Sequence, residues 1–243
     1  MDQSLSFLEQ CSNEQIRLLC DVLLFDNDGQ LRFTEMLSVS AWFKSDYPNN
    51  LLKHLPEIIH EYKSFAGNTI ANMFRSMFDK EDIPYLSILE DVCTHLKVNF
   101  AKGSSPELME YYMLQKILIM SVDKMTDEDV HHFNDKFSKE ELKKVLGTAK
   151  MGSPIFLKLT GSLVLSILKK RAGEQVAAQF AKFIGGKYFT ALIGPLGWVV
   201  TSIWTLFDIA GPAYRVVIPA TISIAYLRMC IKVKDSDISS FLS

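Results

Sequence analysis

The chain has 243 residues, 48% of them apolar and 22% charged, with a formal net charge of −2. That is globular composition and excludes a chain disordered throughout. A weakly acidic protein with one tight basic run also offers little attraction to phosphate, so nucleic acid is not expected as a partner.

The first ten residues carry two acids, no base and no apolar h-region, so they do not read as a secretory signal. Ser12-Asn13-Glu14-Gln15 is a capping box, followed at helical spacing by Ile16, Leu19, Cys20, Leu23 and Leu24. The next stretch resembles an EF-hand loop from its third position on, with Asp26, Asp28, Gly29, Leu31 and Glu35 in register. Leu24 stands where the first carboxylate ligand is needed, so a polar turn between helices is the expected structure. Gly67 is expected to close one helix and Asn68 to cap the next, through Met73, Phe74 and Met77. Ser105-Pro106-Glu107 opens a helix running to about Met125, with proline at its first position. Thr126 and Ser138 cap two short acidic helices. Helical spacing places Leu31, Leu37, Phe74, Leu89 and Leu114 in the N-terminal core. The cysteines Cys11, Cys20, Cys93 and Cys230 form no CxxC pair, which points to a reducing cytoplasm.

Composition changes at Lys150-Met-Gly-Ser-Pro154. Residues 1–150 hold 16 Lys+Arg against 24 Asp+Glu, whereas residues 151–243 hold 10 against 4. Apolar segments follow at Ile155–Leu168, Val176–Ile184, Leu192–Phe207 and Val216–Met229. Lys169-Lys170-Arg171 reads as a solvated helix end that complements the dipole. No residue from Tyr188 to Phe207 is charged, a run as long as a membrane span. Gly194, Pro195 and Gly197 divide it into arms too short to cross a bilayer. A helix packed among helices and a helix that moves from protein to lipid both fit this pattern. The final apolar stretch suits a buried helix by its length, with Pro219 either starting or kinking it. Arg215 and Arg228 flank it and either snorkel to phosphate headgroups or pair with acids of the N-terminal half. The aromatic cluster Tyr188, Phe189, Trp198, Trp204, Phe207 and Tyr214 suits a surface where rings meet both apolar and wet surroundings, or a packed core.

These features predict an all-α fold: a multi-helix bundle with acidic amphipathic N-terminal helices and an apolar C-terminal helical hairpin. Residues 1–150 form the acidic region, residues 1–35 a short N-terminal module within it, and residues 151–243 the apolar, basic region, which either stands as a second domain or packs with the first as one.

Phe7-Leu-Glu-Gln-Cys-Ser12, Gly67-Asn-Thr-Ile-Ala-Asn72 and Ala213-Tyr-Arg-Val-Val-Ile-Pro-Ala220, running on to Ala225-Tyr-Leu-Arg228, together resemble the bacterial YaaW-type family over almost the whole chain. The resemblance implies a helical, non-secreted bacterial protein of an uncharacterised family. It also implies a relationship to a ubiquinol–cytochrome c chaperone domain, and so a link to assembly of membrane complexes. It supplies no catalytic residues.

Glu57-Ile-Ile-His60 and Glu128-Asp-Val-His131 are both Glu-x-x-His, the spacing of di-iron bundle ligands, with Glu35 or Glu90 and Glu110 as further carboxylates. Glu128 falls in the first turn of an acidic helix, where a carboxylate is favoured by the dipole alone, and His131-His132 has no third histidine nearby. No P-loop, Rossmann fingerprint, Gly-x-Ser-x-Gly or His-Glu-x-x-His occurs. The expected function is therefore non-enzymatic and without cofactor: association with a membrane surface or membrane protein through residues 185–229, in the cytoplasm at the inner membrane. A soluble assembly chaperone for a membrane-complex subunit is the second reading and a di-iron carboxylate enzyme the third.

Overall fold

The computed structural model describes residues 2–32, 36–70, 83–133, 137–185, 211 and 213–234. Those residues are helical, joined by turns, and the one β-type pairing among them is an isolated antiparallel bridge between Phe25 and Leu31. A 3-10 helix (Gln3–Gln10) leads into α1 (Asn13–Leu24), α2 (Met36–Val39) and α3 (Ala41–Asp46). A second 3-10 turn (Leu51–His54) precedes α4 (Leu55–Ile70), α5 (Tyr85–His95), α6 (Pro106–Lys124), α7 (Asp127–Phe133) and α8 (Lys139–Thr148). The apolar part supplies α9 (Pro154–Ala172), α10 (Glu174–Gly185) and α11 (Tyr214–Lys234).

Local chemistry sets these boundaries. Ser12 Oγ accepts the Gln15 N–H while Gln15 Oε1 accepts the Ser12 N–H, closing the expected capping box of α1. Ser105 caps α6, with Pro106 at its first position, and Ser138 with Glu141 closes a box at α8. Thr126 and Asp129 cap each other's backbone N–H at the start of α7. Gly173, at φ +87°, takes the conformation that ends α9 and lets α10 fold back beside it.

The expected break at Gly67-Asn68 does not occur. Helix α4 runs through both residues, because Tyr62, Phe65 and Ala66 bury its inner face. That packing outweighs the ~1 kcal/mol penalty of an internal glycine. The proposed helix through Met73, Phe74 and Met77 lies outside the described residues, as does the segment Leu192–Phe207.

The loop after α1 is a closed turn. Asp26 Oδ1 accepts the N–H groups of Asp28 and Gln30, each at 2.9 Å, and Gly29 (φ +77°) sits against the Arg171 carbonyl, where a Cβ would approach to 3.4 Å. The carboxylate at the third position of the EF-hand-like loop is thus spent on its own turn. Of the expected core leucines, Leu37, Leu89 and Leu114 are buried, and Leu31 is half-buried against the core.

Helices α9 and α11 form the centre. Every residue from Phe156 to Leu168 except Leu157 and Lys158 is buried, as is every residue from Val216 to Met229. An apolar surface on all sides demands partners on all sides. Around α11 these are α1, α4, α5, α6, α9 and the N-terminal 3-10 helix. The hydroxyls on these helices return to their own backbone: Thr160 to the Phe156 carbonyl, Thr221 to Val217 and Ser223 to Pro219. One continuous core takes in residues from Leu5 to Ile231, so the N-terminal module and the apolar region share it.

Candidate functional site: a central apolar helix and its polar clasps

Helix α11 carries a stretch, Tyr214–Val233, of 20 residues with mean hydropathy 1.6, long and apolar enough to cross a membrane, and 83% of its most apolar window is buried within the protein. Two arginines hold it there, one near each end.

At the C-terminal end, Arg228 on α11 meets Glu110 on α6. Its Nε donates to Glu110 Oε2 at 2.7 Å and one terminal nitrogen to Oε1 at 3.1 Å, a two-pronged contact. The Tyr85 hydroxyl from α5 donates to the same Oε1 at 2.7 Å. Arg228 also donates to the Ser4 carbonyl at 2.6 Å, and its guanidinium lies 4.0 Å from the centre of the Phe7 ring. Glu107 and Lys232 extend the charges towards solvent. Burial pushes the Glu110 carboxyl up, against the pull of Arg228 and the Tyr85 donor. Burial would lower Arg228, but Glu110 holds it above its ordinary value. Asp2 pins the neighbouring turn by accepting the N–H groups of Ser4 and Tyr85 and pairing with Lys63 at 3.2 Å.

At the N-terminal end the cause is Pro219. A proline within a helix has no N–H to give the carbonyl four residues earlier, here that of Arg215. Arg171, at the end of α9 and wholly buried, supplies the missing donor. The same guanidinium donates to the carbonyls of Val22 at 2.8 Å and Phe25 at 3.0 Å, at the C-terminal end of α1 where helix carbonyls lack partners. Burial and the nearby Arg32 pull its pKa down to about 9, against Asp26, which leaves it charged at neutral pH.

Between the clasps, the Tyr62 hydroxyl of α4 reaches Thr221 Oγ1 at 2.8 Å. Thr221 already donates to Val217, so Tyr62 is the donor.

The residues expected from sequence to meet a membrane or partner divide into three groups. Tyr188, Phe189, Trp198, Trp204 and Phe207 lie outside the described residues. Tyr214 is half-buried, its ring stacked on His95 with centroids 4.3 Å apart, and burial, with the nearby Asp91 carboxylate, raises its phenol. The Arg215 side chain is exposed, but Arg228 is inside and pairs with an acid of the N-terminal half. Arg171, expected in solvent at a helix end, is also inside.

The candidate metal ligands that are described form no shared cluster. Glu57, Glu128 and His131 are exposed, Glu110 is held by Arg228, and Glu35 lies outside the described residues. Among the described residues no group of three or more His, Cys, Asp or Glu side chains could hold a metal ion.

Sequence reasoning weighed Glu110 only as a metal ligand and missed the role of Arg171. The signal for both lay in α11 itself. A proline in a helix needs a donor at its freed carbonyl, and an arginine deep in an apolar run needs an acid.

Comparison with known proteins gives matches over nearly the whole chain. A UPF0174 protein of Helicobacter pylori strain J99 is 34% identical over 236 residues, covering 94% of this chain and 91% of its own length. One from H. pylori strain 26695 is 32% identical over 212 residues, covering 82% of this chain and 99% of its own length. The UPF0174 protein YaaW of Escherichia coli K12 is 29% identical over 234 residues, covering 93% and 94%. A family model described as a domain of unknown function, DUF3944, matches residues 1–33. No solved structure matches. None of these matches carries the chaperone link that the resemblance implied.

Proposed function

This chain belongs to the UPF0174 family, and from that footing we propose that it is a non-enzymatic helical protein that associates with a membrane or a membrane-protein partner through its apolar C-terminal part, residues 185–229. The observation that carries this reading is α11, which combines the length and hydropathy of a bilayer span with a fold that keeps it covered. It follows, six residues on, an uncharged run of span length, Tyr188 to Phe207, in the part of the chain where cations outnumber acids. Cations beside apolar helices suit an acidic lipid surface.

The burial of α11 favours a second reading, a soluble bundle in which both runs are simply core. Flotation with vesicles of neutral and acidic lipid separates the two. On the membrane reading the wild type floats with acidic vesicles. Trp204→Asp, which places a charge in the apolar phase at ~2.5–3.5 kcal/mol, binds roughly a hundredfold more weakly while circular dichroism shows it folded. Arg215→Gln weakens binding by the ~1 kcal/mol of one headgroup attraction. A wild type that floats with no vesicle, together with an unfolded Trp204→Asp, overturns the membrane reading in favour of the soluble bundle.

A further inference from the structure

Residues 3–25 run alongside α11 and engage it at two places thirteen positions apart, about 20 Å along a helix. The Ser4 carbonyl and the Phe7 ring hold Arg228 at one end. At the other, the Val22 and Phe25 carbonyls share Arg171 with the Arg215 carbonyl that Pro219 leaves without a helical donor. Between these points α1 packs along α11, with Ile16, Leu19, Cys20 and Leu23 buried. The same stretch is matched as a unit, residues 1–33, by a family model of its own. It is thus a sequence module in its own right, although it shares the core of the rest.

We propose that this N-terminal module is a clamp that keeps the membrane-length helix α11 inside the bundle, so that opening the module exposes α11. This rests on the membrane reading above for its purpose, but not for its mechanics. Both grips are polar contacts at the module's two ends, and in each an arginine donates to backbone carbonyls of the module. The clamp therefore recognises the shape of the α11 backbone and its one deeply placed arginine. The ionic partner of Arg228, Glu110, belongs to α6 and stays behind when the module lifts. Opening then uncovers one face of α11 while Arg228 keeps its carboxylate, and Arg171 exchanges the Val22 and Phe25 carbonyls for the water that enters as the module lifts.

The test is amide hydrogen exchange over residues 216–227, read in Phe7→Ala, Arg171→Lys and a deletion of residues 1–11. Leu142→Ala, at a buried leucine of α8, serves as the reference away from the clamp, with exchange compared at denaturant concentrations that match the variants in global stability. The clamp predicts that α11 amides exchange at least about tenfold faster in Phe7→Ala and Arg171→Lys than in Leu142→Ala, with α6 amides unaffected. Flotation with acidic vesicles is then expected to rise in the same order. If α11 is no less protected in the clamp variants than in Leu142→Ala, the clamp is wrong, whether or not any variant floats. If α11 loses protection selectively and no variant floats, the clamp stands and the membrane reading falls. Should the deletion variant fail to fold, the two point substitutions decide the matter by the same comparison.

Discussion

Arg171 donates to three carbonyls from two helices, and that arrangement can be taken apart. Arg171→Met would leave the carbonyls of Val22, Phe25 and Arg215 buried or half-buried without this donor, at ~1–3 kcal/mol for each that water cannot reach. Pro219→Ala restores a backbone N–H to α11 and so gives the Arg215 carbonyl its own helical donor. The double variant Arg171→Met/Pro219→Ala is therefore expected to be less destabilised than the sum of the two, by a coupling of about 1 kcal/mol in urea unfolding. Strict additivity would mean that the two residues do not share that carbonyl. Asp21 is a second residue with a readable signature. It is buried, accepts the Tyr47 hydroxyl at 2.8 Å and lies 3.4 Å from Arg17 Nε, yet burial still lifts its pKa to about 6. A folded-state value above the ordinary one means the folded protein binds the proton more tightly than the unfolded chain does. Asp21 thus favours folding most at low pH and costs stability as the pH rises through about 6, by up to ~3 kcal/mol. Asp21→Asn should accordingly be more stable than wild type near pH 8 and close to it near pH 4. A loss of stability near pH 8 would show that the contacts with Arg17 and Tyr47 outweigh the burial.

At the level of helices, much of the fold was legible in the sequence, because caps and apolar spacing are local. The Ser12, Ser105, Thr126 and Ser138 caps, and the helices of the apolar part that are described, all follow from residues a few positions apart. The misreading at Gly67-Asn68 has the same origin in reverse. The local signal there says stop, and burial of Tyr62 and Phe65 against distant helices keeps α4 going. The burial of Leu89 and Leu114 carries a direct consequence, since truncating a fully enclosed leucine typically removes ~2–5 kcal/mol. Each Leu→Ala change is expected to fall in that range by denaturant titration, and a change below ~1 kcal/mol would place either helix face wrongly. The turn after α1 makes its own prediction. With Asp26 committed to the Asp28 and Gln30 amides, micromolar calcium should leave the melting temperature where it is, because a ligand that binds the folded state must raise it.

Across the whole molecule, the sequence hides what depends on pairing between distant parts. It marks acidic and basic halves, but not that Glu110 of one meets Arg228 of the other in the interior, nor that the module at 1–33 lies against the last described helix. Those pairings need three dimensions. They also bear on cooperativity. Independent domains at 1–150 and 151–243 would melt in two steps, whereas a core shared from Leu5 to Ile231 should melt in one. Near-ultraviolet and far-ultraviolet dichroism are therefore expected to report the same midpoint, and separated midpoints would show that the shared core is not the unit of folding.

The reach of Arg228 back across 224 positions to the Ser4 carbonyl also sets a schedule. At roughly 5–20 residues per second, Ser4 is synthesised about 10–45 seconds before Arg228 exists. Throughout that interval Leu5 and Leu8, enclosed in the finished protein, have no α11 to lie against. Residues 2–12 must then wait, covered by something else or open to proteases, for α11 to arrive. Nascent chains stalled before residue 214 should be cut within residues 2–12 by a protease that leaves the completed protein intact there.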